Sequence, residues 1–153
     1  MRLRKARADE LDGVLALAVA FYEEDGFATS EVELRRNLQV LLESTAARVA
    51  VAEDEGELLG VAITITSFGL ENGLIAELED LYVVSSARRQ GIAGQLIEDS
   101  AYWAHDRGCR QLELVIAPNG QDVTHLHDYY MARNFQDDGR RLLSRDLPAS
   151  TDN

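Results

Sequence analysis

Apolar residues recur along this chain at two spacings. Leu11, Val14, Leu15, Ala18, Val19 and Tyr22 fall three and four apart and predict a helix over residues 9–23, with Asp9 as its N-cap. The Glu23-Glu24-Asp25-Gly26 run ends it. Ser30-Glu31-Val32-Glu33 has the form of a capping box, and Leu34, Leu38, Leu41 and Leu42 continue a second helix. Alternation then takes over. Residues 49–52, 58–68 and 74–84 read as strands, with Val61, Ile63 and Ile65 marking one face. Turns at Asp54-Glu55-Gly56-Glu57 and at residues 69–73 join them as hairpins. Residues 2–6 form a short edge strand ahead of the first helix. Ile92, Leu96, Ala101 and Ala104 trace a third helix, stopped by Gly108. Leu112, Leu114 and Ile116 predict a strand over residues 111–117, broken by Pro118-Asn119-Gly120. Residues 122–133 are helical and residues 140–147 a final strand.

The order is therefore β-α-α-β-β-β-α-β-α-β, with hairpins early and crossovers late. It implies an α/β fold with a mixed sheet and helices on both faces. One domain over residues 1–147 and a flexible C-terminal tail over 148–153 are expected. No apolar run reaches the roughly 20 residues that span a bilayer. No membrane partner and a cytoplasmic location are expected. The lone Cys109 has no disulfide partner in the chain. No Cys/His group has zinc-ligand spacing, and His125 and His127, two apart on a helix, point in different directions. No metal is expected.

The formal net charge of −12 opposes nucleic-acid binding. It is unevenly placed. Residues 1–80 hold 17 acids against 7 bases, and residues 81–153 hold 10 against 8. An acidic first half suits a cationic ligand, and a less acidic second half tolerates a polyanion.

Three stretches carry candidate chemistry. Arg88-Arg89-Gln90-Gly91-Ile92-Ala93-Gly94 lies between a strand and a helix start. That arrangement captures a phosphate: glycine lets the backbone approach, helix N-terminal amides point outward, and arginines add forked donors. Glu77-Leu78-Glu79-Asp80 sets three acids in an otherwise apolar strand, where charge is costly unless it meets solvent, a partner or a substrate. By the two-residue period, Glu77 and Glu79 share one face and Asp80 takes the other. In Asp128-Tyr129-Tyr130, one tyrosine should face the core and the other a cleft.

With these residues in this order, the chain resembles the GNAT superfamily of acetyl-CoA-dependent N-acetyltransferases. Arg88-Arg89-Gln90-Gly91-Ile92-Ala93 matches the family's Q/R-x-x-G-x-G/A motif, and the Glu-Asp-Leu-Tyr-Val run of residues 79–83 lies at the usual distance before it. Tyr130-Met131-Ala132-Arg133-Asn134-Phe135 matches Tyr-x-x-x-Gly-Phe, with Asn134, the residue next best suited to a left-handed backbone, in place of glycine.

The resemblance implies a GNAT-like acyl-CoA N-acyltransferase fold and acetyl-CoA as co-substrate. The amides of Gln90, Gly91, Ile92, Ala93 and Gly94 would cradle the pyrophosphate, with Arg88 and Arg89 adding charge. Strand amides at Leu81, Tyr82 and Val83 would bind the pantetheine arm and the acetyl carbonyl, and Asn119 occupies a position that often contacts the pantetheine. Tyr130 would protonate the departing thiolate. Glu79, then Glu77, would be the base that deprotonates the acceptor. Glu23, Glu24, Asp25 and Asp80 would meet that acceptor, a small cationic amine of aminoglycoside or polyamine type. A homodimer is the expected assembly. Two alternatives stand beside this reading: a protein or peptide N-acetyltransferase, and a non-catalytic acyl-CoA-binding sensor module.

Overall fold

A computed structural model of the chain describes residues 1–118 and 122–149. The chain divides into two compact units, Met1–Gln121 and Asp122–Asn153. The first carries a five-stranded sheet in chain order: β1 (Arg2–Lys5), β2 (Ala47–Asp54), β3 (Glu57–Gly69), β4 (Gly73–Val83) and β5 (Leu112–Glu113). β1 to β4 are antiparallel neighbours, and β5 joins β4 in parallel. Helices α1 (Leu11–Asp25), α2 (Glu31–Glu43) and α3 (Ile92–Asp106) belong to the same unit, and α4 (Thr124–Met131) to the second. The mixed α/β sheet implied by the sequence is therefore present.

Strand alternation sorts the two faces. Val49, Val51, Val61 and Ile63 form a core with Val14, Leu15 and Leu17 of α1 and Leu38 of α2. On the other face Ala50, Ala52, Gly60 and Ala62 keep the surface low, and α3 packs there through Ile92 and Leu96. A Cβ at Gly60 would lie 3.0 Å from the Tyr82 carbonyl and 3.2 Å from Leu96, so glycine sets how closely α3 approaches β3. Arg48 of β2 pairs with Asp99 of α3 at 3.0 Å on the same side.

Three expectations are corrected. Asp9 does not cap α1. It lies in a 3-10 turn (Ala8–Glu10), and Glu10, at the N-cap position, makes no capping bond because Arg4 and the Arg7 amide engage its carboxylate. Half of the Ser30 capping box forms: Ser30 Oγ accepts from the Glu33 amide at 3.3 Å, while the Glu33 carboxylate accepts from the Ser30 hydroxyl rather than from its amide. β5 is two residues long, not seven, because it pairs only with Ala76 and Glu77. Residues 140–149 form no strand, and Leu142, Leu143 and Leu147 are exposed. Leu142 and Leu147 are an odd number of residues apart, so an extended chain there has no single apolar face to bury. Among the described residues no helix is long and apolar enough to cross a membrane.

Candidate active site

The site begins with one extra residue in β4. Ile63 of β3 pairs with Asp80, and the next residue, Thr64, pairs with Leu78, leaving Glu79 without an opposite number. This is a β-bulge, and it resets the alternation. Below it, Glu77 stands opposite Ile65; above it, Asp80 stands opposite Ile63 and Tyr82 opposite Val61. Directly opposed residues share a face. Asp80 therefore lies on the same face as Glu77, the face of α1 and α2, and not on the opposite one as strict alternation implied. Three acids now line one stretch of sheet. The Glu79 side chain reaches solvent, yet its carboxyl is pushed up to about 7, by partial burial first and then by the charge and hydrogen bond of Glu77 and the charge of Asp80. Burial also pushes the Asp80 carboxyl up, opposed by a hydrogen bond from Tyr22.

α1 meets this face through two hydroxyl contacts. Tyr22 donates to Asp80 Oδ1 at 3.0 Å, and Tyr82 of β4 donates to Glu24 Oε2 at 3.2 Å. Phe21 stacks on Tyr82 with centroids 5.4 Å apart. The acidic run at the end of α1 is divided by the helix. Glu24 faces β4, Asp25 is half-buried with its carboxyl pushed up by burial and then by Glu24, and Glu23 lines an open groove of about 550 Å³ between α1 and α2. Sequence reasoning missed Tyr22, because its spacing fits the apolar stripe of α1 and nothing marks its hydroxyl as employed.

On its other side β4 is open. The Val84 amide bonds the Leu59 carbonyl, so Gly60 and Val83 form a non-hydrogen-bonded pair and Val61 and Tyr82 a bonded one. The amide of Tyr82 is thus committed to β3, while those of Leu81 and Val83 point to the edge where β5 has no paired residue. The Val83 carbonyl on that edge accepts from Arg88 Nε at 3.0 Å.

α3 starts at the end of this edge. Its N-cap is Gly91, with φ 79° and no capping side chain. The Gly91 carbonyl accepts from the Gln95 amide, while the amides of Ile92, Ala93 and Gly94 have no intrahelical acceptor. A Cβ at Gly91 would meet nothing within 4 Å, so the space before the helix is clear. Arg89 is exposed in a left-handed conformation with φ 64°, and Gln90 is exposed beside it. Arg88 is turned away from the helix start. Its guanidinium pairs with Glu24 at 2.6 Å and lies 5.6 Å from the centre of the Tyr82 ring.

Tyr130 lies on α4 in the second unit. It packs edge-on against Tyr129 and Phe135, with centroids 5.3 and 5.6 Å away. Its hydroxyl is pushed up to about 12 by burial, then by Tyr129. Asn134 takes φ 70°, the left-handed conformation expected of it, and lets the Phe135 amide return to the Tyr130 carbonyl at 3.2 Å. Asn119 lies outside the described residues.

The sequence profile described as the acetyltransferase (GNAT) family matches residues 12–130. Over 69 residues the chain is 45% identical to an aminoglycoside N(6')-acetyltransferase type 1 of Klebsiella aerogenes; the match spans 43% of this chain and 45% of that enzyme, under half its length. Over 118 residues it is 30% identical to an uncharacterized N-acetyltransferase of Archaeoglobus fulgidus, spanning 74% of this chain and 80% of the relative. The structure of aminoglycoside N-acetyltransferase AAC(6')-Iy in complex with CoA superposes with a TM-score of 0.81 at 19% identity, covering 95% of this chain and 93% of that one, a likeness of fold.

The carboxylate row makes a direct prediction. In carboxyl-detected NMR the Glu79 side chain should titrate near pH 7, and Glu77→Gln should lower that value by removing a like charge and a hydrogen bond. A Glu79 titration unmoved by Glu77→Gln would mean that the two carboxylates do not interact.

Proposed function

The chain belongs to the acetyltransferase (GNAT) family, and on that premise we propose that it transfers an acetyl group from acetyl-CoA to a primary amine of a small cationic molecule of aminoglycoside type. The observation that carries this reading is the carboxylate row that the Glu79 bulge sets on one strand with the open backbone edge of Leu81 and Val83. The uncapped start of α3 supports a phosphate position: its first amides have no helical acceptor and no protein side chain caps them. The name of the Klebsiella aerogenes relative supports the aminoglycoside class.

The residues present fit a bound CoA. The amides of Ile92, Ala93 and Gly94, with Gln90 and Gly91 before them and Arg89 beside them, would hold the pyrophosphate. The Leu81 and Val83 amides would hold the arm that carries the thioester. Acetyl-CoA supplies an activated acyl group and a fair leaving group. The protein's own contribution is proton handling and charge placement. Amines attack only when neutral and are mostly protonated at pH 7. Glu79, with a carboxyl near 7, removes that proton directly or through one water. An edge amide of Leu81 or Val83 donates to the acyl oxygen as negative charge develops there. The family resemblance assigns to Tyr130, kept neutral well above physiological pH, the return of a proton to the sulfur. Asp80, Glu24 and Asp25 hold other cationic groups of the acceptor, and Glu23 extends that field toward the α1–α2 groove.

Thiol release from acetyl-CoA should appear with aminoglycosides or polyamines in a panel that also holds amino acids and peptide N-termini. Release confined to neutral or acidic acceptors would refute the electrostatic basis, and CoA binding with no release would favour the sensor module. Gly91→Asp should abolish CoA binding in calorimetry, because it forces a left-handed backbone on a side chain and sets a like charge before the phosphate position. Tyr130→Phe should lower kcat at least about tenfold, about 1.4 kcal/mol of barrier, with CoA affinity unchanged. Unchanged turnover would remove Tyr130 from the reaction.

A further inference from the structure

Tyr22 belongs to none of the roles assigned above, yet it makes a side-chain bond from α1 to the carboxylate row. Its hydroxyl lies 3.0 Å from Asp80 Oδ1, across 58 residues of chain. Its ring is fixed on two sides, 4.6 Å from Phe27 and 5.4 Å edge-on to Phe21. Asp80 is held from the strand side by the bulge, which places it beside Glu79 on the face of α1. A carboxylate partly removed from water stays ionised only if a donor compensates it. For Asp80 that donor is Tyr22.

We propose that Tyr22 is a positioning residue for proton removal: it holds Asp80 as a fixed anion beside Glu79, a like charge that, together with Glu77, favours Glu79 as the proton acceptor. The inference rests on the reading of Glu79 as the base. The other groups on this face come from five elements. β4 offers Glu77; β5 offers Glu113, level with Glu77 in register; β3 offers Ile65 and Ile63, which are uncharged; α2 offers Leu34, Leu38, Leu41 and Leu42. At the end of α1, Glu24 is paired with Arg88, and Asp25 follows it. Among these groups Tyr22 is the one that donates a hydrogen bond to Asp80.

The sign follows from the charges. Without the Tyr22 hydroxyl the neutral form of Asp80 gains. Asp80 then repels the Glu79 carboxylate less, and the Glu79 carboxyl titrates lower. The test is the pH dependence of kcat/KM for acetyl transfer to a cationic amine. Tyr22→Phe should move the acid limb down, by less than Asp80→Asn, which removes the charge outright. Asp80→Asn should move it the same way, and the two changes together should move it no further than Asp80→Asn alone. A Tyr22→Phe profile that superimposes on the wild type, or shifts that add in the double variant, would overturn the inference. Glu79→Gln separates the two ideas. If the limb vanishes in Glu79→Gln but ignores Tyr22→Phe, only the role of Tyr22 fails. If the limb survives Glu79→Gln, the base assignment fails and this inference with it. Should Tyr22→Phe not fold, the wild-type protein still decides: the Tyr22 Cζ resonance should follow the protonation of Asp80, and a resonance that ignores it counts against the bond.

Discussion

The arrangement of this site depends on a residue that has no partner. Glu79 interrupts the ladder between β3 and β4, and the strand beyond it is re-aimed. Without the extra residue, Glu77 and Asp80 would lie on opposite sides of the sheet. With it, they face the same helices, and a residue that would otherwise sit on the α3 side meets Tyr22. The cost of placing three acids in an apolar strand is offset unequally. Asp80 has a hydroxyl donor, Glu79 reaches solvent, and burial first, then Glu77 and Asp80, push the Glu79 carboxyl up to about 7. A group so balanced gives and takes protons near the pH at which the protein works, which is the property a base needs.

The same strand serves the site on its open edge. Because β5 pairs only as far as Glu77, the amides of Leu81 and Val83 are left to something other than the sheet. Arg88 takes the Val83 carbonyl on that edge and fastens it to Glu24, so the end of α1 and the edge of β4 are joined through one guanidinium. A planar fork with several donors can make both contacts at once, which an ammonium could not do in the same geometry. The start of α3 is thereby left with its uncapped backbone amides and the exposed Arg89.

Much of this was legible in the chain. The Ser30 N-cap of α2, the hairpins linking β2 to β4, the loop before α3 and the left-handed Asn134 all follow from local rules, and the structure has them. The bulge was not read, because Glu77-Leu78-Glu79-Asp80 looks like alternation until its far side is considered. Ala76 and Leu78 are two apart, Leu81 and Val83 are two apart, but Leu78 and Leu81 are three apart. That odd step is the signal. Tyr22 was hidden by its own apolar ring, and the engagement of Arg88 by a partner 64 residues earlier in the chain. The strand expected over residues 140–147 failed for a different reason: Leu142 and Leu147 fall on opposite sides of an extended chain, so no single apolar face is there to be buried.

The order in which the chain is made bears on the sheet. β2, β3 and β4 follow one another through hairpins, and β1 closes onto β2 after α1 and α2 have intervened. Tyr22, Glu24 and the whole carboxylate row lie within the first 80 residues of the chain. A ribosome releasing the chain from its N-terminus therefore delivers the acidic face and the helix that braces it before any of α3 has emerged. Nascent β2 to β4 can zip by short-range contacts, and α3 is added only after four of the five strands have been made.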